Sequence, residues 1–200
     1  MSPTRRTALS SAVGATAAAL ALCESARRAR GFDVGRFEER VFRRFNGAPD
    51  ALHVPLWAVM QSGSLAAVYV TGGALAGSGH TRAACATALA GTAVWGGVKL
   101  IKPRVGRGRP EAVLDGVSIR GPAPTGLGYP SGHAAVAATL ALVVPHAASP
   151  QWRAAAILIA GAAGGARMYV GAHLPLDVAG GFAIGVLVGR TASMVLNEWS

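Results

Sequence analysis

Acidic residues are scarce in this 200-residue chain, where nine Asp and Glu stand against 19 Lys and Arg. Cysteine is scarcer still. Cys23 and Cys85 match no metal or redox spacing, and because both fall in apolar segments they are expected to pack there. Aromatic residues make up 6% of the chain, and none interleave with the cations to form a stacking platform. A nucleic-acid partner is therefore excluded despite the net charge of +10. Charge as a whole is thin at 14%, and it disappears from Ala51 to Gly79 and again from Ala83 to Val98.

What fills the chain instead is apolar and small. Hydrophobic residues reach 52%, there are 27 glycines, and the mean hydropathy is +0.39. An ordinary soluble domain does not look like this. The two uncharged stretches are the firmest membrane spans, since a spanning helix needs about 20 apolar residues. Four weaker spans join them: Thr7 to Cys23, His133 to Ala148, Ala154 to Gly171 around Arg167, and Val178 to Leu196 around Arg190. These are rich in Ala and Gly, which suits close helix packing in a bundle. The expected fold is all-α, a bundle of six transmembrane helices; a soluble helical core is the alternative.

The chain divides into residues 1–50 and a core of residues 51–200. Residues 1–23 begin with Arg5 and Arg6 and run into an Ala-rich stretch, which reads as a first membrane helix with a positive anchor. A twin-arginine or other secretory signal is the competing reading, although no small-x-small site precedes Glu24. Residues 24–50 are the polar block, with seven arginines mixed with Asp33, Glu38 and Glu39. Phe32, Phe37, Val41, Phe42 and Phe45 recur there at helical spacing, as in an amphipathic helix lying among lipid head groups. A solvated connecting helix would show the same pattern.

Three short motifs carry the chemistry. The first, Lys102 to Pro110, loads Lys102, Arg104, Arg107 and Arg109 around Gly106 and Gly108 and can wrap an anion, Arg as a planar fork and Lys as a mobile point charge. In the second, Tyr129 to His133, Ser131 is a good N-cap for an apolar helix. The N–H groups of Ser131, Gly132 and His133 are then expected to point, unpaired, at an anion above the helix start, and His133 can deliver a proton. In the third, Arg167 to Asp177, His173 and Asp177 are four apart and Pro175 suggests that a helix begins between them. A carboxylate on one imidazole nitrogen fixes the tautomer and makes the other more nucleophilic. Each motif alone has a plain alternative: a lipid-anchoring flank, a capped helix, a pair of solvated polar residues.

In order and spacing, Lys-x6-Arg-Pro, Pro-Ser-Gly-His and Arg-x5-His-x3-Asp resemble the type 2 phosphatidic acid phosphatase superfamily, which also includes the vanadium-dependent haloperoxidases. The likeness runs over roughly residues 50–196. It implies a phosphatase site at one membrane face that acts on a phosphatidate-like lipid or an undecaprenyl or other polyprenyl diphosphate, with neither metal nor cofactor. His173 would be the nucleophile that forms a phosphohistidine, Asp177 would orient it, and His133 would protonate the leaving group. Lys102, Arg109, Ser131, Gly132 and Arg167 would hold the phosphoryl oxygens. One departure is visible: the family's third motif usually opens Ser-Arg, whereas Ala166 precedes Arg167 here. Haloperoxidase chemistry on bound vanadate, or a lipid-phosphate-binding protein without catalysis, are the competing functions.

Sidedness pulls two ways. The connections after the first, third and fifth helices hold most of the arginines, so a positive-inside count places every motif in the cytoplasm. Arg5 and Arg6 argue for a cytoplasmic N-terminus, and the cations of the motifs have a catalytic reason to be where they are. These arguments leave both faces open, and the expectation carried forward is a bacterial plasma membrane with the site on the extracytoplasmic face.

Overall fold

Ala-rich apolar segments broken by Gly, Pro and Ser favour helices over strands, and in a computed structural model the chain is helical, with no strand among the described residues. The structure describes residues 3–30, 33–144 and 150–198. In chain order the helices are α1 (Pro3–Ala29), α2 (Arg36–Asn46), a 3-10 turn (Asp50–Leu52), α3 (His53–Gln61), α4 (Leu65–Gly77) and α5 (Thr81–Val105). They continue with α6 (Pro110–Val113), α7 (Gly132–Val143), α8 (Pro150–Tyr169) and α9 (Pro175–Glu198).

The bundle is built around α7. Its small side chains are buried without interruption from Ala134 to Ala141. A glycine every four residues on α9 lets that helix lie almost backbone to backbone on it. A Cβ at Gly181 would stand 2.4 Å from the Ser131 carbonyl oxygen, and one at Gly185 would stand 2.3 Å from that of Ala135. Val68, Val94, Val98, Val136, Leu140 and Ile184 join α4, α5, α7 and α9 in one apolar cluster, while Ala137, Ala141, Ala160 and Ala163 seat α8 on the opposite side of α7.

The uncharged stretch from Ala51 to Gly79 is not one continuous helix. It breaks at Ser62-Gly63-Ser64, and the pair that begins at Asp50 and ends at Gly77 is bent by 58°. Two local causes act together. Ser64 caps α4 by accepting the Ala67 N–H at 3.1 Å, and Gly63 sits so close to His133 that a Cβ there would be 2.3 Å from its carbonyl oxygen. By length and composition α5 and α9 can each cross a membrane, and the bent pair makes a third if it counts as one span. Of the other three expected spans, all helical, that in α8 falls short of that test, while those from Thr7 and from His133 run in part through residues whose side chains lie outside the described ones. Helix α7 has 12 residues, about 18 Å at 1.5 Å per residue, and residues 145–148 lie outside the described residues. Helices α1 and α8 are Ala-rich, with Arg27 and Arg28 in the last turn of one and Arg167 in that of the other. Even so, both turn apolar side chains outward: Leu20, Ile157 and Leu158 are as exposed as Val70 on α4 and Leu89 on α5.

Cys23 and Cys85 are both at the surface, which corrects the expectation that they pack inside. Apolarity alone cannot assign a side, because the outer face of a membrane bundle is apolar too.

Candidate active site

Residues from all three motifs meet where the C-terminal ends of α5 and α8 approach the N-terminal ends of α7 and α9. Lys102 occupies the last turn of α5, which Gly106 closes in the left-handed conformation at φ 71°. Ser131 caps α7 with Gly132 and His133 in its first turn, Arg167 lies in the last turn of α8, and the connection from Val170 to Leu174 carries His173 into α9. The start of α9 is a reciprocal cap. Asp177, three residues after Leu174, accepts the Leu174 N–H on Oδ2 at 2.9 Å.

That arrangement places His173 Nδ1 3.4 Å from Asp177 Oδ2, with the imidazole 3% exposed and the carboxylate fully buried. The contact is longer than a well-formed hydrogen bond and leaves Nδ1 without a bonded partner, yet it turns that ring nitrogen toward the carboxylate and Nε2 away from it. His173 sits in the connection between helices, and its pKa is pushed well below 6.5. Burial is the main cause, and Arg167, Arg109 and Lys102 add to it, while a hydrogen bond with the Gly128 backbone opposes them. A neutral imidazole is the form that can attack an electrophile.

His133 lies within electrostatic reach of Arg167, His173 and Arg109, and its ring stands edge-on to Trp95 with centroids 5.8 Å apart. Arg167 Nη1 approaches the Met60 sulfur at 3.1 Å, whereas its Nε is buried with no protein partner. Ala166, where the family usually has serine, is buried in the apolar cluster of Met60, Tyr169 and Val170, so a methyl group stands there and no hydroxyl.

Lys102 and Arg109 also hold the loop that covers the site. Lys102 Nζ donates to the carbonyls of Leu127 at 2.7 Å and Gly128 at 3.1 Å. Arg109 donates through Nε and Nη2 to Thr125 at 3.0 and 2.9 Å, and through Nη1 to Ala172 at 2.7 Å, next to His173. Through the Ala172 carbonyl Arg109 thus links the first motif to the third, while Lys102 ties it to the residues just ahead of the second.

Two expectations about donors need correction. The Ser131 N–H does not point at a ligand: it donates to the Asp177 carbonyl at 2.9 Å, because the glycine stripe brings the start of α9 against the start of α7. The first motif does not act as a single anion wrap either. Arg104 turns outward and bonds the Leu100 carbonyl of its own helix. Arg107 is 1% exposed and lies between two carboxylates, Glu38 at 2.8 and 2.6 Å and Asp177 Oδ1 at 3.2 Å.

Glu38 is the site residue that sequence reading did not single out. Helix α2 turns Glu38, Phe42 and Asn46 inward at intervals of four, so the expected amphipathic helix buries a face that is polar at both ends and apolar between. Phe37 and Phe45 face outward, 75% and 40% exposed, and Phe32 lies outside the described residues. One signal was available: Glu38 is the acidic residue one turn before an inward Phe. Among the described residues, no three His, Cys, Asp or Glu side chains come together as a metal site.

The family model of the PAP2 superfamily matches residues 81–199, which contain every motif and more than half of the chain. The chain belongs to the PAP2 superfamily. A search of curated proteins returned no match. Among solved structures, the PAP2 chain resembles Aquifex aeolicus LpxE at 27% identity and a TM-score of 0.74, over 82% of this chain and 98% of that one. It also shares the fold of a transmembrane PAP2-type phosphatidylglycerolphosphate phosphatase from Bacillus subtilis, at 19% identity and a TM-score of 0.78, over 93% of this chain and 97% of that one. With its long apolar helices, this PAP2 protein is an integral membrane protein.

Proposed function

We propose that this protein is a lipid phosphatase that hydrolyses the phosphomonoester or diphosphate of a membrane lipid through a phosphohistidine at His173. The observation that carries the reading is the buried His173–Asp177 pair with Arg167, Arg109 and Lys102 acting on it and His133 nearby. The likeness to LpxE and the B. subtilis phosphatase supports it.

In this reading Nε2 of neutral His173 attacks phosphorus, and the bond from phosphorus to the lipid oxygen breaks. His133 gives that oxygen its proton, so an alcohol leaves neutral and a lipid phosphate leaves with one negative charge fewer. Water then attacks the phosphohistidine, His133 takes the proton back, and inorganic phosphate departs. Asp177 holds the imidazole, while Lys102, Arg109 and Arg167, with Ser131 and the Gly132 amide, offset the charge of the transferring group. No step calls on a metal or a cofactor.

Six spans and a site at one membrane face belong to this reading, supported by the outward apolar sides of α1 and α8. Sidedness in this reading takes a cytoplasmic N-terminus, for which Arg5 and Arg6 argue, as its starting point. Helix α1 delivers α2 to the site end of the bundle, where Ser25 bonds the Tyr129 hydroxyl at 3.0 Å, so an N-terminus in the cytoplasm sets the site on the extracytoplasmic face. The division at residue 50 fits less well, because Glu38 of α2 joins the site. A phosphate-release screen over phosphatidate, phosphatidylglycerophosphate and undecaprenyl diphosphate tests the function. Wild type should release phosphate from at least one of them and His173→Ala from none, with its helicity unchanged; equal release by both proteins would remove the mechanism.

A further inference from the structure

Arg107 contacts neither solvent nor the phosphoryl-facing groups, yet it is a charge buried at the centre of the site. A guanidinium there requires partners, and it has an unequal pair. Glu38 takes the fork on both oxygens at 2.8 and 2.6 Å, whereas Asp177 receives one N–H at 3.2 Å, on Oδ1. The other Asp177 oxygen, Oδ2, is left for the Leu174 N–H and for His173. Glu38 Oε1 also accepts the Leu176 N–H at 2.9 Å, so it caps the start of α9 from another helix. Helix α2 is itself anchored: Phe42 is fully buried, and Asn46 donates to the carbonyls of Ser118 at 2.8 Å and Tyr169 at 3.0 Å.

We infer that Glu38, a residue outside the segment matched by the family model, is a positioning residue for the reaction: by holding the Arg107 fork it keeps Asp177 Oδ2 free to orient His173. The inference rests on the phosphatase reading above. Without the Glu38 charge, Arg107 retains one anionic neighbour and closes its fork on both oxygens of Asp177. His173 then competes for Oδ2 and loses its fixed orientation. The phosphoryl-facing cations are untouched, so substrate binding is preserved and the chemical step slows. Partners that orient a metal-bound imidazole are worth about 10- to 100-fold, and the same scale is expected for one that orients a catalytic imidazole.

The test is Glu38→Gln in the full-length, detergent-solubilised enzyme, with kcat and KM measured on the lipid that wild type turns over. The expected result is a fall in kcat of about 10- to 100-fold with KM within about twofold. Arg107→Gln should lower kcat as well, and the double variant should be no slower than the slower single one, because Glu38 acts through Arg107. Unchanged kcat, a rise in KM that accounts for the loss, or effects that multiply in the double variant would overturn the inference. A second readout needs no turnover. In 15N-histidine-labelled protein, the Nδ1–H proton of His173, assigned by its absence in His173→Asn, should move upfield in Glu38→Gln; an unmoved resonance overturns the inference. If wild type hydrolyses no lipid phosphate, the phosphatase reading fails and this resonance still decides whether Glu38 is coupled to His173. If Glu38→Gln does not fold, Glu38→Asp carries both readouts. It keeps the charge on a shorter arm, so kcat and resonance should both shift in the same directions by less than in Arg107→Gln, and wild-type values would overturn the coupling.

Discussion

Replacing Gly181 by alanine tests the packing that holds the site together. The added Cβ would lie 2.4 Å from the Ser131 carbonyl oxygen and 2.9 Å from the Ala134 Cβ, and the first of these is backbone that no rotamer change can move. Carbon and carbonyl oxygen approach to about 3.3 Å at closest, so α9 must back away from α7 by about 0.9 Å. The Ser131 N–H to Asp177 carbonyl bond, 2.9 Å long, would then stretch to about 3.8 Å and cease to be one. Overpacking of this kind costs about 1–3 kcal/mol and the lost hydrogen bond about 0.5–1.5 kcal/mol, which together give about 1.5–4.5 kcal/mol. Because Asp177 is carried on the displaced turn, a shift near 1 Å should also cut turnover by about 100-fold. The control is Gly96→Ala on α5, where a Cβ meets nothing within 4 Å and helix propensity alone should stabilise by up to about 1 kcal/mol. Both variants would be unfolded in mixed micelles and followed by helicity, with phosphate release measured in parallel. If Gly181→Ala is as stable and as active as Gly96→Ala, the contact between α7 and α9 does not set the geometry of the site.

Two further outcomes follow from the same structure. Arg120 donates to Asp50 Oδ1 and to the carbonyls of Asn46, Ala48 and Tyr169, and lies 4.3 Å over the Tyr169 ring; Arg120→Ala should cost about 2–3 kcal/mol and speed protease cleavage in the 114–128 loop, with an uncleaved loop as the contrary result. His173 has a folded pKa well below 6.5, so below that pH the unfolded chain binds a proton that the folded chain does not, and stability falls as pH falls; His173→Asn should remove about 1 kcal/mol per pH unit of that slope below pH 6, whereas parallel curves for the two proteins would show that His173 titrates normally.

The motifs were legible because each is local. His173 and Asp177 are four positions apart, and the proline between them marks a helix start, so a capped turn that brings the pair together can be read from spacing alone. Ser131 as an N-cap and Lys102 at a helix end rest on the same kind of short-range rule. What the sequence hid depends on contacts across the bundle. Glu38 and Arg107 are 69 residues apart, and nothing near either one reveals that they pair. From its own neighbours the Ser131 N–H looks free to meet an anion, since the group that takes it, the Asp177 carbonyl, is set by how α9 lies on α7. The break at Ser62-Gly63-Ser64 is hidden for a different reason. Hydropathy averages over such a window, and only the turn chemistry of those three residues carried the signal.

Trapping the covalent intermediate tests the central proposal most directly. Enzyme mixed with a lipid labelled with 32P on the transferred phosphoryl group would be quenched in base within one turnover, digested, and the phosphorylated peptide sequenced by mass spectrometry. The expected result is base-stable, acid-labile label on His173 that is absent from His173→Ala. Turnover of the same lipid with no label on the protein, or with label on any other residue, would contradict a phosphohistidine at His173.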